Sequence, residues 1–315
     1  MVTLLEAEPT GGRAARAHRP AGGRTRRTGR WRMRLAGLAF LAPALILFGY
    51  FSWWPIVSSV MLGFQKTNLV DPATWVGLDN FRRVFADPVV PVAVRNTLWF
   101  FLLSLAIGFP VPLLLAMVGS ELRRLGGLFR VLVYLPVIVP PVVSVLLWKW
   151  FYDPDFGLFN LVLGKVGLGP YPWLQDASWA MPSLVIEATW AGAGGSVLIY
   201  LAALAGVPTE LYEAAEIDGA SIWRRAWHVM LPQIRGVILL LLLLQMISAL
   251  QVFTEPYVMT DGGPADSTVT ILMLIYRYAF LRGDYGGAAA LSVLLAATLA
   301  ILSAAYLRLT RRWSS

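Results

Sequence analysis

Few side chains in these 315 residues are able to do chemistry, and most of those bind hydrogen rather than react. There is no cysteine, which excludes thiolate catalysis, disulfides and cysteine-ligated metals. His18 and His228 lie in unrelated contexts and form no metal set. No Gly-x-x-x-x-Gly-Lys-Ser/Thr loop occurs, so the polypeptide has no phosphate cradle and hydrolyses no ATP itself. What remains is polar groups set in apolar runs: Gln245, Ser248, Gln251 and Glu255 in one, Glu187 and Trp190 in the run before it, and Tyr257 further on. At ~100° per residue the first four fall within about a third of a helical turn. Polar groups on one face of a membrane helix point to a partner helix or a water-filled path. Amides and carboxylates near aromatic rings suit the binding of a hydroxyl-rich solute, not the breaking of its bonds.

The background to these groups is membrane-like. Hydrophobic residues make up 57% of the chain and charged ones 14%, with a mean hydropathy of +0.65. Soluble domains carry about 25% charged residues. Thirteen tryptophans suit a protein with membrane interfaces to line. The net charge of +8 invites a nucleic-acid reading, but the apolar composition and the position of the charge oppose it. Residues 1–32 hold Arg13, Arg16, Arg19, Arg24, Arg26, Arg27, Arg30 and Arg32 with almost nothing to bury, and are expected to be a disordered cytoplasmic tail. Arg26-Arg27 suggests a twin-arginine signal, but no small-residue cleavage site follows. Residues 33–315 are expected to form an all-α membrane domain.

Six apolar runs approach the ~20 residues a crossing needs. They are Leu35 to Trp54, closed by Pro55; Thr97 to Val118; Val131 to Phe151, interrupted by Pro136 and Pro140-Pro141; Met181 to Leu204; Val237 to Val258; and Gly286 to Leu307. Prolines in the third free backbone carbonyls, which is tolerable only against neighbouring helices or a wet cavity. Thr268 to Phe280 is short and carries Arg277, and reads as a half-inserted or packed helix. Leu158 to Lys165 reads as a short amphipathic helix between crossings. Six crossings place both termini, Ser120 to Leu125 and the polar stretch 207–232 on one side, with Thr260 to Pro264 on the other. That side takes most of the 26 lysines and arginines, so it is cytoplasmic by the charge rule. No internal repeat of the pattern is visible.

The polar stretch 207–232 reads as two short helices with a hinge. Pro208 and Thr209 suit the start of the first, threonine as its cap. Leu211, Ala214, Ala215 and Asp218 share a face, and Gly219 sits where a left-handed cap would stop the helix. Ser221 suits the cap of the second, with Ile222, Ala226 and Val229 on one side and Trp223, Trp227 and Met230 beside them. Pro232 is expected to end it. Ala214 and Ala215, small and next to Glu213, make a surface that another protein can approach closely.

Glu213-Ala214-Ala215, three residues, Gly219, nine residues and Val229-Met230-Leu231-Pro232 together resemble the EAA loop of ABC-importer permeases, with Val229 in the usual isoleucine place. The resemblance extends over roughly residues 35 to 310. Phe40-Leu-Ala-Pro-Ala-Leu45, Gly77-Leu-Asp-Asn-Phe81, Asn96-Thr97, and Thr260-Asp-Gly-Gly-Pro264 with Tyr276 and Phe280 are similar to the MalF-type subunit of carbohydrate importers. Two departures stand out: the turn usually reads Thr-Gly-Gly-Gly-Pro, and the maltose permease has extra N-terminal spans and a large outer domain not matched here. The resemblance implies the six-helix fold of type I importer permeases with a cytoplasmic coupling helix. Glu213, Ala214, Ala215, Gly219, Val229, Leu231 and Pro232 would meet an ATPase subunit. The partners implied are a second, MalG-type permease subunit, two ATPase subunits that bind the ATP and magnesium, and an extracytoplasmic sugar-binding protein. The chain itself would hold no cofactor or metal and move a sugar or oligosaccharide across the cytoplasmic membrane by alternating access.

On that reading Gln245, Ser248, Gln251, Glu255, Glu187, Trp190 and Tyr257 line the substrate path. The alternative puts Gln245 and Ser248 at the joint between two permease chains, and Trp148, Trp150 and Tyr152 in an interfacial aromatic belt. Two other classes stay open. A secondary transporter would use Glu187 as a proton or sodium site. A membrane-embedded glycosyl-transfer enzyme would need a carboxylate or histidine cluster at the interface, where Asp153 and Asp155 read as loop turns instead. Neither needs the EAA spacing.

Overall fold

A computed structural model of the chain describes the backbone of residues 28–122 and 126–311, and side chains from residue 37 onward within those ranges. Residues 1–27, most of the expected disordered tail, lie outside the described residues. The chain divides into two units, Met1–Pro55 and Ile56–Ser315. In the first, a helix already begins at Thr28, ahead of Arg30 and Arg32, and runs to Phe48. The helical stretch Gly37–Leu62 (α1) is 26 residues long and none of it is buried.

The second unit opens with a two-residue antiparallel pair, Gln65–Lys66 (β1) with Thr74–Trp75 (β2), and then Asp79–Ala86 (α2). Val89–Glu121 (α3) follows, then Gly126–Ile138 (α4) and Pro141–Phe151 (α5), Leu158–Gly164 (α6) and Ala177–Ala205 (α7). Thr209–Ile217 (α8), Ile222–Gln233 (α9) and Arg235–Leu250 (α10) form the next group. Ile271–Leu281 (α11) and Tyr285–Thr310 (α12) close the described chain. Among the described residues α1, α3, α7 and α12 are long and apolar enough to cross a membrane singly. Two bent pairs, α4 with α5 at 98° and α9 with α10 at 79°, bring the number to as many as six where each pair counts as one span. The third expected span is therefore no straight rod. Pro140, preceding Pro141, is pushed into extended geometry (φ −55°, ψ 135°), and the chain turns there.

Prolines elsewhere do not all stop helices. Pro55, expected as a terminator, sits inside α1, which continues to Leu62, whereas Pro232 does close α9, which ends one residue later at Gln233. In each case a π-turn precedes the ring. The residue before the proline reaches back five positions: Trp54 N–H to the Gly49 carbonyl, Leu231 N–H to Ala226, and in α3 Phe109 N–H to Ser104 ahead of Pro110. The wider turn makes room for the ring beside the carbonyl four residues back, where an α-turn would clash.

The fifth helix breaks ahead of Pro256, at residues 251–253, and Pro256 lies in the first turn of the next helical segment. The expected fifth span, Val237 to Val258, ends at Leu250, and residues 256–260 form a separate π-turn. Pro256 has no N–H for the Val252 carbonyl, and the Thr270 hydroxyl donates to that carbonyl at 2.9 Å instead. The Asn96-Thr97 pair serves the same loop. Asn96 Nδ2 donates to the carbonyls of Asp266 (2.7 Å) and Val269 (3.1 Å), and Thr97 Oγ1 accepts from Ile271 N–H at 3.0 Å. Both side chains are buried. The stretch from Asp266 to Ile271 is thus held against α3, and Thr268 ties it in turn to Thr260 and Gly263 of the preceding turn, which Asp261 (φ 49°) and Gly262 (φ 86°) make. α11 packs on α12 and α3, as the packed-helix reading expected.

Helix α7 is the hub, in contact with α3, α4, α5 and α10. Its small residues permit this. A Cβ on Gly194 would lie 2.4 Å from the Val133 carbonyl oxygen and 3.1 Å from Tyr134 Cα, so the backbone of α4 crosses directly over it. Gly194→Ala should therefore lower stability by about 1–3 kcal/mol through overpacking. Gly195→Ala, which meets nothing within 4 Å, should be harmless. Thermal unfolding of the detergent-purified protein checks this; equal melting temperatures for the two variants would contradict the close crossing.

Candidate coupling loop and solute path

The stretch after α7 folds as two helices joined at Gly219, whose φ is +68°. Ala220 N–H bonds the Ala215 carbonyl at 2.9 Å and Gly219 N–H bonds Glu216 at 3.0 Å, which is the paired closure of a left-handed C-terminal cap. The second helix starts at Ser221, whose hydroxyl accepts from Arg224 N–H. The expected cap at Thr209 is not formed: Pro208 occupies the cap position, pushed to ψ 132°, and Thr209 is already helical. Glu213 and Ala214 are exposed and Ala215 is half-buried. Apolar Ile217 (86% exposed), Trp223 and Trp227 also face outward, a surface that fits a protein partner better than water.

In α9 both sides read from the sequence are split between inside and outside: Ile222, Trp223 and Trp227 are exposed, while Ala226 and Met230, with Arg225, go inside. Val229 and Leu231 pack against a cluster made of Ala116 and Met117 from α3, Tyr200 and Leu204 from α7, and Ala226, Met230 and Leu241. Pro232 is exposed. The loop is thus anchored by its second half and presents its first. Sequence reading missed Arg225. Its guanidinium binds Glu216 on α8 and Glu121 at the end of α3, the latter at 2.9 Å. Tyr212, beside them, has its phenol raised above the usual range by burial and by Glu121, with Arg225 opposing.

The polar groups of the spans divide into two sets. Gln245, half-buried on α10, lies where α3 and α7 meet it: a methyl on Gly108 would sit 3.2 Å from its Nε2 and from Thr189 Oγ1. Ser248 is exposed on the same helix. The stripe does not continue as one helical face, because Gln251 is the C-cap of α10 (φ −112°) and Glu255 belongs to the next segment. The second set is deeper. Glu187 is 1% exposed, accepts from the Ser144 hydroxyl at 2.8 Å, and has its other oxygen buried without a hydrogen-bond partner among the described residues. Glu255 is close enough to act on it electrostatically. Trp190 packs on Trp148 with ring centres 5.5 Å apart. Tyr257 stacks on Phe253 and shares a 3.2 Å hydroxyl contact with Tyr276. The aromatic-belt alternative fails for Trp148 and Tyr152, which are buried in an aromatic core with Phe159 and Trp173; Trp150 is exposed.

Residues 108–315 match the family described as binding-protein-dependent transport system inner membrane component. The chain belongs to that family. It is a multi-pass inner-membrane permease subunit of a binding-protein-dependent ABC importer, not itself an ATPase, and membership implies a binding protein and an ATPase as partners. It is 34% identical over 273 residues to the lactose transport system permease protein LacF of Rhizobium radiobacter, covering 85% of this chain and 91% of the relative. Against the diacetylchitobiose uptake system permease protein NgcF of Streptomyces coelicolor it is 34% identical over 315 residues, covering 94% and 89%. Among solved structures it is similar to a chain of a bacterial ABC transporter involved in the import of the acidic polysaccharide alginate, with TM-score 0.80, 28% identity and coverage of 91% and 98%. Neither a secondary carrier nor a glycosyl-transfer enzyme accounts for this membership.

The cap at Gly219 generates a local test. A substituent there meets nothing within 4 Å, so only the left-handed backbone resists it. Gly219→Val should cost about 1–2 kcal/mol, and Gly219→Asn clearly less, since asparagine tolerates that region. Hydrogen exchange at the Ala220 amide reads the difference; equal protection in both variants would remove the cap from the account.

Proposed function

We propose that the chain is one of two permease subunits in an importer of a sugar or oligosaccharide, and that α8 is its coupling helix. The carrying observation is the loop itself, where family spacing coincides with a positive-φ closure that holds Glu213 and Ala214 outward on an otherwise anchored segment. Glu213, Ala214, Ala215 and Gly219 present the docking surface, and Val229 and Leu231 belong to the anchor, with Pro232 exposed beside them. The likeness to relatives named for lactose and diacetylchitobiose transport, and to an alginate importer, supports the carbohydrate class. An extracytoplasmic binding protein would deliver the solute. Two partner ATPase subunits would bind ATP and magnesium and, by closing, move the coupling helices.

The solute path follows from exposure. Ser248 and Gln251 are polar, exposed in the single chain, and set in an apolar helix or at its end. Against lipid such groups are costly, so they face a second permease chain or the water-filled space between the two. Gln245, Glu187, Glu255, Trp190 and Tyr257 would supply hydrogen bonds and rings for a hydroxyl-rich solute. Both termini and the coupling loop are on the cytoplasmic side, supported by the distribution of basic residues.

The decisive experiment reconstitutes the complex with loaded binding protein. Gly219→Val should insert and pair normally yet lose solute-stimulated ATP hydrolysis, while Gly219→Asn keeps most of it. Full stimulation in Gly219→Val would show that the loop does not couple. Gln251→Leu should reduce uptake with ATPase assembly intact, and an unchanged uptake rate would take this residue out of the path. Uptake of labelled disaccharides and oligosaccharides, set against amino acids and peptides, tests the solute class.

A further inference from the structure

We propose that Arg225 is the positioning residue that delivers the motion of the coupling helix to the membrane domain, by fastening α8 to the end of α3. This rests on the coupling reading above. Among the described residues of the loop, the guanidinium has directional contacts on both sides. One nitrogen, Nη1, donates to Glu216 of α8, nine positions back, and the other, Nη2, to Glu121, 104 positions back on α3. The Arg225 side chain is only 10% exposed, so these charges interact with little screening. Glu121 is 27% exposed and Glu216 53%, which makes the contact to α3 the firmer of the two.

The surroundings explain why one residue would carry the motion. Beneath α8 lies a hollow of about 360 Å³ bordered by Glu121, Arg130, Tyr212, Glu216 and Arg225. The underside of α8 is therefore not filled by close apolar packing. Apolar contacts, being non-directional, would in any case let the helix slide. A buried guanidinium that holds two carboxylates resists sliding, because separating either partner leaves a poorly solvated charge behind. Arg225 is in turn set among Ala226 and Met230, which are buried in the cluster shared with Ala116, Met117 and Leu204. Glu121 ends the same helix that carries Gly108 beside Gln245. A displacement of α8 is thus passed to α3 and along it to the polar groups of the solute path.

The test uses the complete complex in proteoliposomes and reads solute transported per ATP hydrolysed, together with the amount of ATPase subunit that co-purifies. Arg225→Gln and Glu121→Gln should each lower transport per ATP by about tenfold, within the range of site-to-site coupling, with co-purification unchanged. The double variant should be no worse than the worse single, since both remove one link. Arg225→Lys should restore only part, because an ammonium lacks the two-sided fork. Losses that multiply in the double variant, a parental transport ratio in Glu121→Gln, or a loss of the ATPase in step with transport would each overturn the proposal. If Arg225→Gln does not assemble, Glu121→Gln decides alone. Gly219→Val separates this proposal from the reading beneath it. Uncoupling there with normal Glu121→Gln overturns the link only, whereas normal coupling in both overturns the loop as well.

Discussion

In hydrocarbon no water is present to satisfy a backbone group, so each carbonyl released from a helix must find a partner inside the protein. This constraint shapes the molecule, because the chain places many of its 20 prolines within apolar runs. At Pro55, Pro110 and Pro232 the answer is local: a π-turn widens the helix ahead of the ring. At Pro256 the answer is tertiary, and Thr270 takes the Val252 carbonyl. Where the loop after it has no helix at all, Asn96 and Thr97 reach across from α3 to bind its backbone. The helix breaks are thus paired with buried hydroxyls and amides elsewhere in the chain.

The same breaks give the permease its working geometry. A straight fifth span would have carried Gln245, Ser248, Gln251 and Glu255 as one stripe on one rod. Ending α10 at Leu250 instead separates the groups into an outward pair, Ser248 and Gln251, and a deeper set around Glu187, Glu255 and Tyr257. The hub helix α7 joins that deep set to the loop, since Glu187 lies in its first half and Tyr200 and Leu204 at its end join the cluster that anchors α9. Close crossing at Gly194 keeps α4 tight on this hub, so α7 has little freedom to shift independently.

The loop at residues 207–232 shows how anchoring and presentation are combined. Val229, Met230 and Leu231 hold its second half in the apolar cluster, while the cap at Gly219 turns the first half outward. Ile217, Trp223 and Trp227 remain exposed, an apolar surface that a single chain in water would not favour. Ile217 stands before the hinge and Trp223 and Trp227 after it, on the same helix whose buried Arg225 is tied to α3.

What the sequence determined by itself is what depends on local chemistry. Composition and run length set a helical membrane protein. The positive φ at Gly219 was legible because only glycine suits that backbone region at no steric cost, and the spacing around it carried the family. The tertiary structure decided everything that depends on which partner meets a freed group. Periodicity set Ile222, Ala226 and Val229 on one side of α9, yet Ile222 is exposed and Arg225, which no apolar pattern marks, goes inside. Trp148 and Tyr152 read as a belt because aromatic type marks interfaces only on average, whereas their neighbours Phe159, Trp173 and Trp190 bury them. Thr209 lost its capping role because Pro208 already occupied the extended position before the helix. The link from Glu216 through Arg225 to Glu121 joins residues up to 104 positions apart, and only folding brings their charges within hydrogen-bonding distance.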